Sequence, residues 1–397
     1  MSDDSTLPKA LSTRLISPAT QRGKGRRPVN PPIERASTML SDDPAQMNSS
    51  RDGPVYGLEG GSAARQLRNI LADMEGAHDS LIVPSGLAAV TVPLTAILRP
   101  GDEIVCTDAV YGPTRRFLTR HMSDRGIATR FHPAEASTDA IIEALGDKTR
   151  VLLIEAPGSL TFEMVDMAAL ARACAERGII TIVDNTWGAG LAYRPLEHGI
   201  DISVQALTKY VGGHSDILMG AISVATQTMA DTIFETIDDN GWHVSPDDAW
   251  LALRGIRTLP LRYGTQFRSA LRIVQWLEQQ PQVSRVLYPP LSASPQHDLW
   301  KSQFDGAASL FGVVMKGGNR TDAHRLMSAL RLFGMGYSWG GFESLVTYET
   351  SQLEQRLHQP QLEGALMRFH IGLEDTDDLI ADLANALSGW GLSGSPT

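Results

Sequence analysis

The sequence predicts an α/β fold, with a mostly parallel central sheet that carries helices on both faces and a smaller C-terminal α+β domain. Short apolar runs alternate with helical patterns over residues 62–257, as is typical of strands joined by crossover helices. A longer helical pattern at about 260–279 then leads into a region with a different order of elements. The chain has 397 residues, of which 42% are apolar, so it can bury a core of this size. We therefore predict a domain boundary near residue 258.

The first 58 residues are predicted to form an extended N-terminal arm. They hold seven prolines, too many for long helices. A connection this long and irregular is uncommon unless it has a function. We expect the arm to make contacts with a neighbouring subunit.

Two domains are predicted after the arm, at 59–257 and 258–397. The first helix, 62–76, has Ser62 as a candidate cap and Gly76 as a candidate stop. The other elements of the larger domain are predicted in the following order: strand 81–83, helix 86–98, strand 103–107, helix 113–123, strand 128–131, helix 138–145, strand 151–155, helix 167–177, strands 179–183, 202–206 and 219–224, and helices 227–239 and 246–257. The smaller domain is predicted to hold helix 260–279, strands 283–288 and 308–315, helix 321–332, strands 344–348 and 366–371, and helix 375–388.

The composition and net charge limit the kinds of molecule that the protein is expected to bind. The net charge of −10 argues against nucleic acid. We expect no membrane span and no signal peptide, because no apolar run of about 18 residues and no N-terminal apolar core occur. Cys106 and Cys174 have no metal-ligand spacing and are expected to be buried thiols, which suits the cytoplasm.

Two strand ends carry the main candidate chemistry. The apolar run 179–183 ends on Asp184, and the run at 202–207 ends on Thr208 and Lys209. Ligands of open α/β sheets lie outside the carboxyl ends of the strands, so Asp184 and Lys209 could face one pocket. Pyridoxal 5′-phosphate needs this pair, namely a lysine amine that bonds to its aldehyde and a carboxylate that keeps its ring nitrogen protonated. The alternative is an exposed lysine and a helix-capping aspartate.

A second pattern is typical of an anion site. The predicted strand 81–83 runs into Pro84-Ser85-Gly86-Leu87, where a helix begins. Free backbone N–H groups and the helix dipole favour an anion at such a position. Alternatively, Ser85 only caps the helix, and the two interpretations are compatible.

Several separated segments resemble one enzyme family. They read Asp-Asn-Thr-Trp at 184–187, Thr-Lys-Tyr-Val-Gly-Gly-His-Ser-Asp at 208–216, Pro-Gly-Ser at 157–159, Arg-Gly-Ile-Arg-Thr-Leu at 254–259, Tyr-Ser-Trp-Gly-Gly-Phe-Glu-Ser-Leu at 337–345 and Arg-Phe-His-Ile-Gly-Leu-Glu-Asp at 368–375. The chain thus resembles the cystathionine β-lyase branch of the Cys/Met-metabolism pyridoxal-phosphate enzymes, over about residues 10 to 390. The resemblance implies fold type I and pyridoxal 5′-phosphate as the cofactor.

The resemblance also implies roles for individual residues. The cofactor phosphate would be held by the turn at Ser85, Gly86 and Leu87 and by Thr208. Tyr111 would stack on the pyridine ring, as an aromatic side chain can on an electron-poor ring. Lys209 would be the catalytic base. Tyr56 or Tyr111 would assist when the substrate amine displaces Lys209 from the cofactor, and Tyr56 would also contact the substrate.

Substrate contacts are implied at the other end of the chain. Arg368 would bind the α-carboxylate, because an arginine fork holds both oxygens at once. The loop with Tyr337, Ser338 and Trp339 would contribute further contacts, and tyrosine at 337 favours β-elimination over γ chemistry. Alternatively, Arg368 is a surface arginine, and the loop is only a turn with a buried tryptophan.

The sequence departs from the family pattern at 56–63. Tyr56 matches, but Leu58 stands where the family has an arginine that the neighbouring subunit donates to the phosphate. Ala206 likewise replaces a serine that many relatives use there. Losing an arginine–phosphate hydrogen bond, worth about 1.5–3 kcal/mol, would weaken cofactor binding roughly 10- to 150-fold. Arg65 or Arg68 could substitute.

The function implied by the resemblance is a carbon–sulfur β-lyase of methionine biosynthesis and transsulfuration. It would convert L-cystathionine or a related amino acid to a thiol, pyruvate and ammonia. The expected assembly is a homotetramer built from dimers that share active sites, and no metal site is predicted. The diverged segment leaves open racemisation, γ-replacement or a specialised biosynthetic step, and also a silent relative that only binds or regulates.

Overall fold

The computed structural model describes residues 10–16, 26, 28–47 and 54–391. Within them, a seven-stranded sheet forms the centre of the larger domain. Its strands are β1 Asp79–Val83, β2 Glu103–Thr107, β3 Ala128–His132, β4 Thr149–Glu155, β5 Ile180–Asp184, β6 Ile202–Ala206 and β7 Gly220–Val224. Their order is β1-β7-β6-β5-β4-β2-β3, and every pair is parallel except the two that involve β7. The predicted mostly parallel sheet is confirmed.

Helices cover both faces of this sheet. They are α2 Ser62–Glu75, α3 Gly86–Ile97, α4 Gly112–Phe117 with a π-helical extension over Leu118–Met122, α5 Thr138–Ala144, α6 Met167–Ala175, α7 Gln227–Asp239 and α8 Pro246–Ile256. Side chains alternate between two faces along a strand. In β2, Ile104 and Cys106 therefore pack into one apolar core with α3 and α7, whereas Val105 packs into the other with α2 and α6.

A five-stranded sheet follows. The elements are α9 Leu259–Leu277, β8 Val283–Leu287, α10 His297–Gln303, β9 Leu310–Met315, α11 Arg320–Ala329, β10 Gly334–Met335, β11 Leu345–Tyr348, α12 Ser351–Glu354, β12 Leu366–His370 and α13 Thr376–Ser388. The order is β10-β11-β12-β9-β8, and only β10 and β11 run parallel. The α+β character is thus confirmed, while the boundary at 258 stays a prediction.

The N-terminal arm differs in part from its prediction. A short helix, α1 Leu11–Ile16, places Leu15 in the main apolar core, and 3₁₀ turns lie at Pro44–Gln46 and Gly57–Glu59. The arm is therefore not irregular throughout. The rest of this prediction, at 1–9, 17–25, 27 and 48–53, lies outside the described residues.

Two details of the predicted elements are wrong. Gly61, not Ser62, precedes the first turn of α2, and the amide of Ser62 donates instead to the Glu34 carboxylate of the arm at 2.5 Å. The sequence pattern also missed the short helices α10 and α12. The predicted stop is confirmed, since Gly76 ends α2 with a left-handed φ of 67°.

The remaining general expectations concern cysteines, metals and membranes. Cys106 and Cys174 are both free and buried, as predicted. Among the described residues, no cluster of three or more His, Cys, Asp or Glu side chains could hold a metal ion. No helix in the described ranges is both long and apolar enough to cross a bilayer.

Candidate active site

One cavity of about 360 Å³ brings most of the sequence-predicted site residues together. It opens at the carboxyl ends of β4, β5 and β6 and is closed by loops of the smaller domain. Its walls include Ser85, Gly86, Leu87, Tyr111, Asp184, Thr208, Lys209, Tyr337, Ser338, Trp339 and Arg368. The volume lies in the usual range for small-molecule sites.

The strand ends position the central acid and base. Asp184 is the last residue of β5, and Lys209 follows β6 by one turn, with its amide donating to the Ala206 carbonyl at 3.1 Å. β5 and β6 are adjacent and parallel, so both side chains reach the same edge of the sheet. The predicted meeting of Asp184 and Lys209 in one pocket is thus seen in the structure.

Asp184 is held by a residue that the sequence did not single out. Its Oδ1 accepts from the Thr186 amide at 3.0 Å and from Thr186 Oγ1 at 2.5 Å. Both bonds go to one oxygen, which leaves Oδ2 for a ring N–H. Burial raises the pKa of Asp184, and the Thr186 bonds and the charge of Lys209 oppose that rise.

Lys209 lies between the sheet and the smaller domain. Its Nζ donates to Ser338 Oγ at 2.7 Å and lies 5.4 Å from the centroid of the Trp339 ring. Burial lowers the pKa of Lys209 to about 8, and the positive charge of Arg368 lowers it too, whereas Asp184 acts in the opposite sense. A neutral, nucleophilic amine is therefore accessible near physiological pH.

The start of α3 presents the expected anion site. Ser85 Oγ accepts from the Ala88 amide at 3.0 Å, so Ser85 does cap the helix, and its hydroxyl proton remains for an anion. The amides of Gly86 and Leu87 belong to the first turn, which has no intrahelical acceptors. A Cβ on Gly86 would lie 2.4 Å from Ala206 Cβ, so glycine is required for this turn to lie against β6.

The hydroxyl of Thr208 lies at the pocket but is already hydrogen-bonded within the protein. Its Oγ1 donates to the Met219 carbonyl at 3.2 Å and accepts from the Met219 amide at 3.1 Å. The hydroxyl proton is thus already used within the protein. Thr208 lines the pocket, but it can donate to a phosphate only if this bond breaks.

The glycine-rich loop of the smaller domain packs directly on Lys209. Gly340 has a φ of 82°, and a Cβ there would lie 2.8 Å from the Tyr210 amide and 2.9 Å from the Lys209 carbonyl carbon. Ser338 also has a left-handed φ, of 87°, which is strained for a residue with a side chain. His370, whose pKa burial lowers to about 3, accepts from the Gly340 amide at 3.0 Å. The fold therefore holds Ser338 in a costly conformation beside Lys209.

Arg368 and Tyr337 both line the pocket, but they differ in exposure. Arg368 is on β12 and donates to the Ser338 carbonyl at 3.3 Å. Burial lowers the pKa of Arg368, and nearby Glu349 offsets part of that effect. Tyr337 is 78% exposed, and its hydrogen bond with Glu349 raises the pKa of its phenol.

Tyr56 is the one predicted site residue that a single chain does not bring to the pocket. It pairs with Thr38 in an isolated bridge of the arm and is 56% exposed. Leu58 lies in the 3₁₀ turn that directly follows Tyr56, and it does not line the pocket. Neither Arg65 nor Arg68 lines the pocket, and Arg68 instead pairs with Asp79 at 2.9 Å.

Glu155 is a second residue that sequence reasoning missed. It ends β4, lines the pocket, and accepts from the Tyr111 amide at 2.7 Å. An acid at a strand end beside Asp184 and Lys209 was the available signal. Thr186 could have been found by its spacing, because a hydroxyl two residues after an aspartate often bonds back to it.

Comparisons with known proteins agree with this geometry. The profile of the family described as Cys/Met metabolism PLP-dependent enzyme matches residues 12–388. The chain belongs to this family. The resemblance of residues 10–390 is thereby confirmed, and the protein uses pyridoxal 5′-phosphate.

Relatives and a solved structure extend the match along the chain. A cystathionine beta-lyase from Bordetella avium is 39% identical over 390 residues, which cover 96% of each chain. Cystathionine beta-lyase MetC from Escherichia coli is 34% identical over 94% of this chain and 97% of that one. The crystal structure of metB from Corynebacterium glutamicum matches with a TM-score of 0.89 and 29% identity, over 97% of this chain and 99% of that chain. The α/β fold of this family, fold type I, is confirmed.

The pocket fits the family's cofactor. The capped start of α3 offers free N–H groups to a phosphate, and Asp184 Oδ2 is free to meet a ring nitrogen. Lys209 supplies an amine of lowered pKa. These are the three groups that the cofactor requires.

Proposed function

We propose that the protein is a pyridoxal-phosphate-dependent carbon–sulfur β-lyase that acts on L-cystathionine or a closely similar amino acid. The observation that carries the proposal is the placement of Asp184, Lys209 and Arg368 around one cavity. Two relatives that match over most of both chains are cystathionine beta-lyases, which supports this substrate class.

The elimination breaks the Cα–H and Cβ–S bonds of the substrate, and the later hydrolysis breaks its Cα–N bond. The cofactor, when bound, supplies an electron-accepting ring that lowers the cost of removing the Cα proton. The Lys209 amine takes that proton, because it is a base of lowered pKa within the pocket. Asp184 holds a proton at the ring nitrogen through a charge-assisted hydrogen bond. The sulfur leaves as a thiol, and water completes the conversion of the remainder to pyruvate and ammonia.

Other residues of the pocket orient the substrate. Arg368 binds the α-carboxylate through its fork of N–H groups. Ser338 Oγ accepts from Lys209 and so directs the amine before it takes the proton. Tyr111 stands at the pocket wall as the stacking partner of the ring, and Tyr337 and Trp339 contact the substrate.

The proposal includes an assembly in which dimers share active sites and pair into a homotetramer. Its support is that Tyr56 is exposed on the arm and does not line the pocket of its own chain. In such a dimer Tyr56 would enter the neighbour's pocket and assist Lys209. The two free, buried cysteines suit a reducing cytoplasm.

The test is product analysis with L-cystathionine and the cofactor-loaded protein. β-Elimination gives homocysteine, pyruvate and ammonia, whereas γ-elimination gives cysteine and 2-oxobutyrate, and racemisation of alanine gives the D-isomer. We expect pyruvate and a thiol in equal amounts, and none from Lys209→Ala. Absence of pyruvate at high enzyme concentration, or 2-oxobutyrate as the main product, would refute the proposal.

A further inference from the structure

Glu155 is a half-buried acid in the pocket that the proposed reaction does not use. Its Cα pairs with that of Asp184 across β4 and β5, and adjacent strands lie about 4.8 Å apart, so both carboxyl groups are at one edge. Burial raises the pKa of Glu155 well above its usual range, and the charge of Asp184 raises it further.

Tyr111 is held in place through its backbone. Its amide donates to Glu155 Oε2 at 2.7 Å, and its carbonyl accepts from the Arg115 amide at 3.0 Å. Among the described residues, the structure shows no hydrogen bond of the Tyr111 phenol and no contact of its ring with another aromatic ring. Within those residues, the two backbone contacts are the hydrogen bonds that the structure shows for Tyr111.

The Arg115 contact belongs to the first turn of α4, and it fixes the carbonyl side of Tyr111. The Glu155 contact fixes the amide side and ties it to the strand next to β5. A ring that stacks on the cofactor must keep its place relative to Asp184 and Lys209. Glu155 is the side chain that connects the Tyr111 backbone to that strand edge.

We propose that Glu155 is a positioning residue, which holds the Tyr111 ring over the cofactor through the hydrogen bond to the Tyr111 amide. The inference rests on the proposed function, because it takes Tyr111 as the stacking partner. Only hydrogen-bond acceptance is needed, so a carboxamide can replace the carboxyl group. Displacement of an aligned group by about 1 Å can cost up to 100-fold in rate.

A double-mutant cycle tests whether Glu155 acts through Tyr111. We expect Glu155→Ala to lower kcat/KM for L-cystathionine about 10- to 100-fold in the wild-type background. In a Tyr111→Ala background the same change should cost less than about threefold, because the group that it positions is gone. Equal losses in both backgrounds would overturn the proposal.

The conservative variant separates hydrogen bonding from charge. Glu155→Gln keeps an oxygen that can accept from the Tyr111 amide, and it should recover most of the activity that Glu155→Ala loses. If Glu155→Gln falls as far as Glu155→Ala, the positioning role is refuted. Glu103→Gln is the matched control, because Glu103 begins β2 at the opposite edge of the same sheet and bonds Arg130 and Thr149.

A spectroscopic signal makes the result independent of the substrate. The visible circular dichroism of the bound cofactor reports how its ring sits against neighbouring groups. Glu155→Ala should reduce this band at equal cofactor occupancy, whereas Glu155→Gln and Glu103→Gln should keep it. Wild-type protein that releases no pyruvate would refute only the proposed function, and an unchanged band in Glu155→Ala would refute the role of Glu155.

Discussion

Lys209 Nζ donates a hydrogen bond of 2.7 Å to Ser338 Oγ, which joins the proposed catalytic lysine to a loop of the smaller domain. Ser338 holds this position with a left-handed φ of 87°, a conformation that costs a residue with a side chain about 1–3 kcal/mol. The strained residue is thus the one whose hydroxyl contacts Lys209. The hydrogen bond thus links the two sheets' domains at the residue that we propose transfers the proton.

Two variants of Ser338 distinguish the cost of its strained backbone from the effect of its hydroxyl on catalysis. Ser338→Ala and Ser338→Gly both remove the hydroxyl, and each should lower kcat about 10- to 150-fold, since a hydrogen bond to a charged group contributes about 1.5–3 kcal/mol. Ser338→Gly should unfold at a higher temperature than Ser338→Ala, because glycine accepts this φ without strain. The measurements are steady-state kinetics and thermal unfolding. Full activity in both variants would show that the Lys209 contact has no catalytic role.

The Asp184→Asn variant tests the acid at the ring nitrogen. An amide of the same shape can still accept from Thr186, but it cannot form a charge-assisted bond with the protonated ring. We expect kcat to fall on the order of 100-fold, with the covalent link to Lys209 retained. Asp201→Asn is the control, because Asp201 binds Thr181 on the same pair of strands away from the pocket. Equal activity of the two variants would remove Asp184 from the mechanism.

The rate of cofactor uptake should depend on pH through Lys209. Only the neutral amine can attack an aldehyde, and burial lowers the pKa of Lys209 to about 8. For protein freed of cofactor, the rate should therefore rise with pH up to about 8 and then level off. An ordinary lysine would give a rate that keeps rising toward its pKa of about 10.4. Stopped-flow absorbance between pH 6 and about 10 distinguishes the two, and a continued rise above about pH 9 would contradict the lowered pKa of Lys209.

Restoring the family arginine in the arm tests the sharing of active sites. If the arm enters the neighbour's pocket, Leu58→Arg should tighten binding of pyridoxal 5′-phosphate about 10- to 150-fold. Leu40→Arg is the matched control, because Leu40 is 94% exposed elsewhere on the arm and gains the same charge. Equilibrium dialysis gives the dissociation constants. Identical affinities for the two variants would mean that residue 58 does not reach the phosphate.

Much of the fold follows from local patterns. Buried β-branched runs and capped helices predicted the seven-stranded sheet, because each pattern depends on neighbours in sequence. The short helices α10 and α12 were missed, since seven and four residues hold too little periodicity to be recognised. Ser62 is not the cap because the helix already begins at Ser62, whose amide donates to Glu34, 28 positions away.

The site residues likewise divide into those that the sequence predicted and those that it did not. Asp184 and Lys209 were predicted from strand ends, and the family motifs added Tyr111 and Arg368. Thr186 bonds Asp184 only two residues away, so its spacing was a signal that the sequence reasoning did not use. The contact of Glu155 with Tyr111 joins residues 44 positions apart and came only from the structure, as did the left-handed φ of Ser338. Tyr56 does not line the pocket of its own chain, and its entry into a neighbour's pocket stays a prediction.

Borohydride reduction and peptide mapping test the central claim most directly. The protein is loaded with pyridoxal 5′-phosphate, reduced, digested and analysed by mass spectrometry, with Lys209→Ala as the control. The expected result is one reduced cofactor per chain on the peptide that contains Lys209, and none in the variant. Modification of another lysine, such as Lys301 or Lys316, with Lys209 unmodified would contradict the pairing of Asp184 and Lys209 around one cofactor.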